Sequence, residues 1–286
     1  MHFPGILFLA LAATPVVLLF IIHVIFSAPR LKEKGSPADH DIAYMEARMP
    51  AINGKRLYGW WLPVPEADVT VVVMHGWGSN MELMLPLALP LHKAGLNVLL
   101  VDARNHGRSD SDSFSSMPKF AEDTGSAVDW LIERQPGSAE KIVLLGHSVG
   151  AGAVLLLASR RNAIAAVISI AAFAHPEWMM ERYLRRFHIP GVLRQWVLRY
   201  VERIIGHRYE DIAPVHTACR ADCPVLLVHG REDHTVPVSD ARAIRDNCPE
   251  KGIELLLIDG AGHDSVESVE QHADELIGFL QRYHLL

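Results

Sequence analysis

Cysteine is scarce: Cys219, Cys223 and Cys248 are the only three in 286 residues, they form no C-x-x-C pair, and at least one must stay unpaired. No His/Cys pair follows Cys219-x-x-x-Cys223 at zinc spacing, so three ordinary free thiols and no metal site are expected. Positive charge is also in deficit. Against 33 Asp and Glu stand 27 Lys and Arg, a net charge of −6, which argues against a general nucleic-acid binder. Repeats and low-complexity tracts are lacking, and so is a glycine-rich phosphate loop. His75-Gly76-Trp77-Gly78 is not G-x-G-x-x-G and no Walker-type lysine follows it. Neither nucleotide nor other cofactor is expected.

What is present is a core-forming chain, 50% hydrophobic and 21% charged, long enough for one large α/β domain or two small ones. Residues 6–26 are almost wholly apolar, broken only by Thr14, Pro15 and His23. As a helix they would span roughly 31 Å, the thickness of a bilayer's hydrocarbon core. Few residues and no Lys or Arg precede the run, and Pro29 spoils the cleavage site of a signal peptide. The expectation is a single-pass anchor over residues 1–29. Arg30, Lys32 and Lys34 would hold the following domain, residues 30–286, in the cytoplasm by the positive-inside rule.

Beyond a short linker, residues 41–49 and 55–62 read as strands joined at the hairpin signal Asn53-Gly54. From Val69 the pattern alternates apolar strand runs with helical runs, which implies a parallel sheet covered on both faces. Strands are expected at 69–74, 97–101, 141–145, 164–171, 224–228 and 253–258, making eight in a mostly parallel sheet.

After the strand at 141–145 comes Gly146-His147-Ser148-Val149-Gly150, and then a helix-forming run from Ala151. Strand, G-x-S-x-G and helix in that order are the context of a nucleophile elbow. Gly146 and Gly150 let the backbones approach while Ser148 is held on a tight turn. A serine hydroxyl needs an adjacent base, itself oriented by a carboxylate. Asp233 lies in the loop leaving the strand at 224–228, with Glu232 a rival carboxylate, and His263 lies in the loop leaving the last strand. Loops at the carboxyl ends of parallel strands share one edge of the sheet, so the three can converge. An oxyanion needs two N–H donors. Val149, next after the nucleophile, supplies one and Trp77 of the His75–Gly78 loop the other, with His75 read as fixing that loop.

These pieces resemble the α/β-hydrolase-fold serine hydrolases, and within them bacterial esterases, monoglyceride lipases and lysophospholipases. The resemblance rests on His75-Gly76-Trp77-Gly78, the run from Asp102 to Ser109, the Ser148 elbow, the run from Gly230 to Pro237 and Gly260-Ala261-Gly262-His263, in the family's order. It implies that Ser148 attacks, His263 shuttles the proton and Asp233 orients the imidazole. It also implies a largely structural Asp102 to Ser109 loop, in which Asn105 stands where many relatives carry Gly. The same machinery serves esters, thioesters and amides. A membrane-tethered, non-catalytic binding module on this fold is the reading from another class; such modules usually lose a triad member or an elbow glycine, and none is missing.

Some fifty residues separate the strands at 164–171 and 224–228, more than one crossover helix needs. Met180, Tyr183, Leu184 and Phe187 mark one apolar stripe; Leu193, Trp196, Val197, Tyr200, Val201 and Ile204 mark a second. Residues 176–208 carry seven Arg and three Glu. The expectation is a helical cap over about 174–215 that offers apolar surface to an acyl chain. Arg194 and Arg199 would reach lipid head groups, so that the substrate is a small-molecule or lipid ester.

Overall fold

The computed structural model describes residues 27–286. Its strands are β1 (Met45–Pro50), β2 (Arg56–Leu62), β3 (Val69–Met74), β4 (Asn97–Asp102), β5 (Lys141–His147), β6 (Ile164–Ile170), β7 (Val225–Gly230) and β8 (Glu254–Ile258). They form one sheet in the order β1-β2-β4-β3-β5-β6-β7-β8. β2 runs antiparallel to both neighbours, and the remaining pairs are parallel. The hairpin turns where expected: Asn53 and Gly54 both take left-handed φ, 60° and 67°, the conformation Asn-Gly adopts most cheaply. β1 starts four residues late because Ser36 and Asp39 cap a 3-10 turn over Pro37–His40 instead.

Every residue of β3, β4 and β7 is buried, because helices cover both faces and the pleat sends alternate side chains to each. Val72, Leu99 and Leu144 join one core layer, while Val71, Val73, Val98, Leu100, Val143 and Leu145 join the other. Helices α1 (Leu85–Lys93), α2 (Met117–Arg134) and α3 (Val149–Ala158) follow β3, β4 and β5 in turn. Phe120 of α2 and Leu155 of α3 pack on the first layer, Leu87 and Leu91 of α1 on the second.

Between β6 and β7 the chain forms α4 (Pro176–Arg186), α5 (Gly191–Ile205), α6 (Tyr209–Ile212) and α7 (Pro214–Arg220). Val197, Leu198, Val201 and Tyr209 make a small core of their own, against which Met180 and Leu184 pack. The stripe therefore sits one step round α5 from its expected place. Leu198 is inside, while Trp196 and Ile204 are 42% and 46% exposed, because Met180, Leu184 and Tyr209 decide which face is covered. Arg194 is engaged as well, donating to Glu181 and to the Ile189 carbonyl. Where the insertion leaves and rejoins the sheet its ends are tied, Val215 N–H donating to the Ala174 carbonyl. Asp240, in α8 (Val238–Asp246), accepts from Ala174 N–H and from both terminal nitrogens of Arg182. The short α9 (Val266–Glu270) and then α10 (Ala273–Arg282) complete the chain.

Two expectations need correction. No helix among the described residues is long and apolar enough to cross a membrane, so the single-pass anchor and the membrane localisation drawn from it are not supported; residues 6–26 themselves lie outside the described residues. Nor are the cysteines all free. Cys219 and Cys248 are joined in a disulfide, with Cα atoms 5.1 Å apart, and Cys223 alone is a free thiol. The crossover through β7 and α8 brings together two residues 29 apart in sequence, a proximity that cysteine spacing does not reveal.

Candidate active site

β5 runs into Ser148, which takes φ 55° and ψ −114° before α3 begins at Val149. A non-glycine residue there is strained and persists only where its surroundings impose it. Ser148 N–H is held by the Ile170 carbonyl of the adjacent β6, 2.9 Å away. The flanking glycines are required by contact: a Cβ on Gly146 would overlap the Gly150 carbonyl, and one on Gly150 would overlap the carbonyls of Met74 and His75. Strand, turn and helix cannot pack this closely otherwise.

The parallel strands β5, β7 and β8 deliver their following loops to one edge, and the three expected side chains meet there. Ser148 Oγ lies 2.9 Å from Nε2 of His263, and His263 Nδ1 lies 2.7 Å from Oδ2 of Asp233. With Nδ1–H donating to the carboxylate, Nε2 is left to accept the serine proton, a tautomer inferred from the bonding pattern. Asp233 Oδ1 accepts from the N–H groups of Thr235 and Val236, at 2.8 and 2.7 Å. Burial acts to raise the Asp233 pKa. Hydrogen bonding from His229, His263 and Val236 outweighs it and holds the carboxyl well below the usual carboxylate range. Glu232, the rival, is exposed and joins none of these bonds.

The loop after β3 lies directly over the serine. A Cβ on Gly76 would stand 3.1 Å from Ser148 Cβ and 3.2 Å from His147 Nδ1. His75 holds this loop to the next one, its Nδ1 donating to the Gly76 carbonyl and its Nε2 accepting Ala103 N–H, at 2.7 and 3.0 Å. Burial pushes the His75 pKa down to about 3, so the ring is a neutral brace. Val149 is the first residue of α3, where a backbone N–H has no acceptor within the helix. Trp77 sits half-buried between Gly76 and Gly78, its ring edge-on to His106.

Several supporting residues escaped the sequence. His106 Nδ1 donates to the Arg104 carbonyl while Nε2 accepts Gly78 N–H. His147 Nε2 donates to the His263 carbonyl, 2.8 Å away. His229 Nε2 donates to the Val236 carbonyl and stands 3.4 Å from Asp233. Residues 29–35 strap the outside of the site: Pro29 packs on Gly78, Arg30 donates to the carbonyls of Gly107 and Ser109, and Glu82 accepts the N–H groups of Lys34 and Gly35. The contacts of His106 with Arg104 and of His229 with Val236 are local, while the others join ordinary residue types far apart in the chain, and no motif states what any of these side chains will bond.

The Asp102 to Ser109 loop is built for rigidity. Asp102 is buried and accepts N–H bonds from Met81 and Arg108, both at 2.9 Å. Buried Arg104 donates to Asp123 twice, through Nε and its backbone N–H, at 2.6 and 2.8 Å. Asn105 takes left-handed φ of 69°, which Asn tolerates better than most residues. Its side chain braces Ser115 and Asp112, which explains why glycine is dispensable there.

One ligand atom each from His147, His263 and Asp264 lie within 4.8 Å of one another. Both ring nitrogens of His263 are already committed to Ser148 and Asp233, so a metal there would have to break the hydrogen-bonded chain.

The profile of the family described as serine aminopeptidase, S33, matches residues 65–214, from the approach to β3 through the elbow to the start of α7, and the chain belongs to this family. The protein "Uncharacterized protein YfhR" of Salmonella typhi is 27% identical over 242 residues, 81% of this chain and 79% of its own. The "Alpha/beta hydrolase domain-containing protein aho-3" of Caenorhabditis elegans is 26% identical over 219 residues, 76% of this chain and 59% of its own. Among solved structures, the esterase Pf2001 of Pyrococcus furiosus superposes with a TM-score of 0.75 at 24% identity, over 91% of this chain and 97% of that one. The fold is that of the α/β-hydrolases, and the chain is a hydrolase of that fold.

Proposed function

We propose that the protein cleaves carboxylic esters through an acyl-enzyme. The observation that carries this is the unbroken hydrogen-bonded chain from Ser148 through His263 to Asp233. Ser148 Oγ attacks the ester carbonyl carbon as His263 Nε2 takes its proton. The oxygen that becomes negative is met by the N–H groups of Val149 and Trp77. Asp233 stays ionised and stabilises the imidazolium. Collapse expels the alcohol, which leaves with the proton from His263, and the acyl group stays on Ser148. Water then attacks the acyl carbon, His263 takes its proton, and collapse releases the acid while returning a proton to Ser148 Oγ.

In this reading residues 30–286 form one hydrolase domain, with residues 174–215 as a cap. The insertion leaves β6, whose carboxyl end lies between those of β5 and β7, between the loops that carry Ser148 and Asp233. A narrower reading, hydrolysis of monoacylglycerols or lysophospholipids, is favoured by the apolar side chains left exposed just after α4 and at the start of α5, Phe187 at 67% and Val192 at 89%. A chain-length series of p-nitrophenyl esters and monoacylglycerols, run on wild type and Ser148→Ala, tests both. The variant should lose activity by at least about a thousandfold. Wild-type turnover in it would end the assignment, and a sharp preference for long chains would favour the lipase reading.

A further inference from the structure

We propose that Asp264 determines substrate charge in this site, recognising an ammonium group that the ester carries close to its scissile carbonyl. The inference rests on Ser148 being the nucleophile. Asp264 directly follows His263, and its carboxylate lies within 4.8 Å of ring nitrogens of both His263 and His147. His263 in turn lies 2.9 Å from Ser148 Oγ. A negative charge therefore stands beside the histidine that is hydrogen-bonded to Ser148.

That charge is uncommitted. Asp264 is exposed, and among the described residues its carboxylate has no hydrogen-bond or ion-pair partner. Two neighbouring acids are spoken for, Asp233 by His263 and two backbone N–H groups and Asp259 by Arg231, while exposed Glu232 joins none of the bonds of the site and serves as the control. The chain holds no Lys or Arg between Lys251 and Arg282, so this stretch offers no cation of its own to quench the field. A role as a second orienting carboxylate is closed, because His263 Nδ1 already donates to Asp233.

The backbone that carries the carboxylate is also fixed in advance. Gly262 N–H donates to Ser265 Oγ, Val266 N–H donates to the Asp264 carbonyl, and His147 holds the His263 carbonyl. The loop is pinned on both sides of Asp264, so little ordering cost accompanies binding. An ammonium group on the acyl or the alcohol portion gains Coulomb energy there, an anionic group is repelled and a neutral one is indifferent. Specificity of this kind works as much by rejection as by attraction. For an exposed charge at this range the discrimination is about three- to tenfold.

The test uses matched esters that differ only in charge: choline butyrate against 3,3-dimethylbutyl butyrate, and p-nitrophenyl esters bearing a trimethylammonio, a tert-butyl or a carboxylate terminus on the acyl side. The full-length protein is compared as wild type, Asp264→Asn, Glu232→Gln and Ser148→Ala. In wild type, kcat/KM should favour at least one cationic ester over its neutral match by about three- to tenfold and disfavour the anionic one. The acyl and alcohol series show which portion carries the cation. In Asp264→Asn both ratios should approach one, whatever the absolute rate, and Glu232→Gln should keep the wild-type ratios. Raising the salt concentration to about 0.5 M should shrink the wild-type preference without any mutation. Equal ratios in wild type and Asp264→Asn, or a wild-type preference indifferent to salt, would overturn the inference. Loss of turnover in Ser148→Ala alongside unchanged ratios in Asp264→Asn refutes the role of Asp264 alone, whereas full turnover in Ser148→Ala refutes the underlying site.

Discussion

The backbone N–H of Gly78 donates to Nε2 of His106, 3.1 Å away across 28 residues. That bond ties the far end of the loop over Ser148 to the rigid loop after β4, and burial lowers the His106 pKa so that the ring remains a neutral acceptor. If Trp77 N–H serves the oxyanion, its position depends on this tie. His106→Ala should lower kcat by about 10- to 100-fold with KM changed much less, since the loss falls on the transition state. Steady-state kinetics with a short-chain p-nitrophenyl ester measure it. An effect on KM alone would show that the loop binds substrate rather than the developing charge.

Asp233 and Glu232 are adjacent, yet only Asp233 reaches His263. Asp233→Asn keeps the shape but removes the charge that selects the imidazole tautomer, and kcat should fall by about 10³- to 10⁴-fold. Glu232→Gln should leave kcat within about twofold. Comparable losses in both variants would show that the two acids share the role. Thermal unfolding checks that both proteins remain folded.

Buried His75 makes stability depend on pH in a definite direction. Its folded pKa, about 3, lies below the roughly 6.5 of the unfolded chain. Its contribution is therefore fully present above about 6.5 and is lost as the pH falls toward the folded value. Asp102 and Asp123 act oppositely. Burial raises both, with proximity to Glu33 adding to the effect at Asp102, and both take up protons in the folded state first. Wild type alone thus mixes opposing slopes, and a comparison isolates one. The stability of wild type minus that of His75→Gln should decline by about 1.4 kcal/mol per pH unit below about 6.5. Urea unfolding from pH 7.5 to 4.5 tests this, and a constant difference would mean that the ring is not held neutral.

Arg104 donates to Asp123, Glu122 and Asp112, and both it and Asp123 are almost fully buried. Removing the guanidinium would strand a buried carboxylate, so Arg104→Ala should cost about 3–5 kcal/mol. Arg104→Met combined with Asp123→Leu should cost less, because no charge is left without a partner. Denaturant midpoints read both, and an additive loss in the double variant would contradict the pairing.

Much of the sheet was legible because its signals are local. Apolar runs such as Val71-Val72-Val73 are buried on both faces whatever surrounds them, and Asn53-Gly54 adopts left-handed backbone by its own preference. The Ser148 elbow was legible from the local order of strand, G-x-S-x-G and helix. The need for glycine at 146 arises within that turn, against the Gly150 carbonyl, whereas the need at 150 comes from the Met74 and His75 carbonyls at the end of β3. The two amphipathic helices between β6 and β7 lie where their apolar stripes placed them, but the covered face of α5 was displaced by one residue. Periodicity marks that a helix is amphipathic, while the neighbours decide its rotation.

The sequence by itself determined the strands and helices, the strained serine between two glycines, and the order in which an acid and a histidine follow it. Most of those signals lie in residues a few positions apart, although the strain at Ser148 and the glycine at 150 also answer to the adjacent strands β6 and β3. Only the tertiary structure decided that Asp233 rather than Glu232 meets His263, that His106 and the strap at 29–35 brace the loop over Ser148, and that Cys219 finds Cys248. Each of these pairs distant residues across parallel strands, where the register of the sheet and the path of each crossover set the partner.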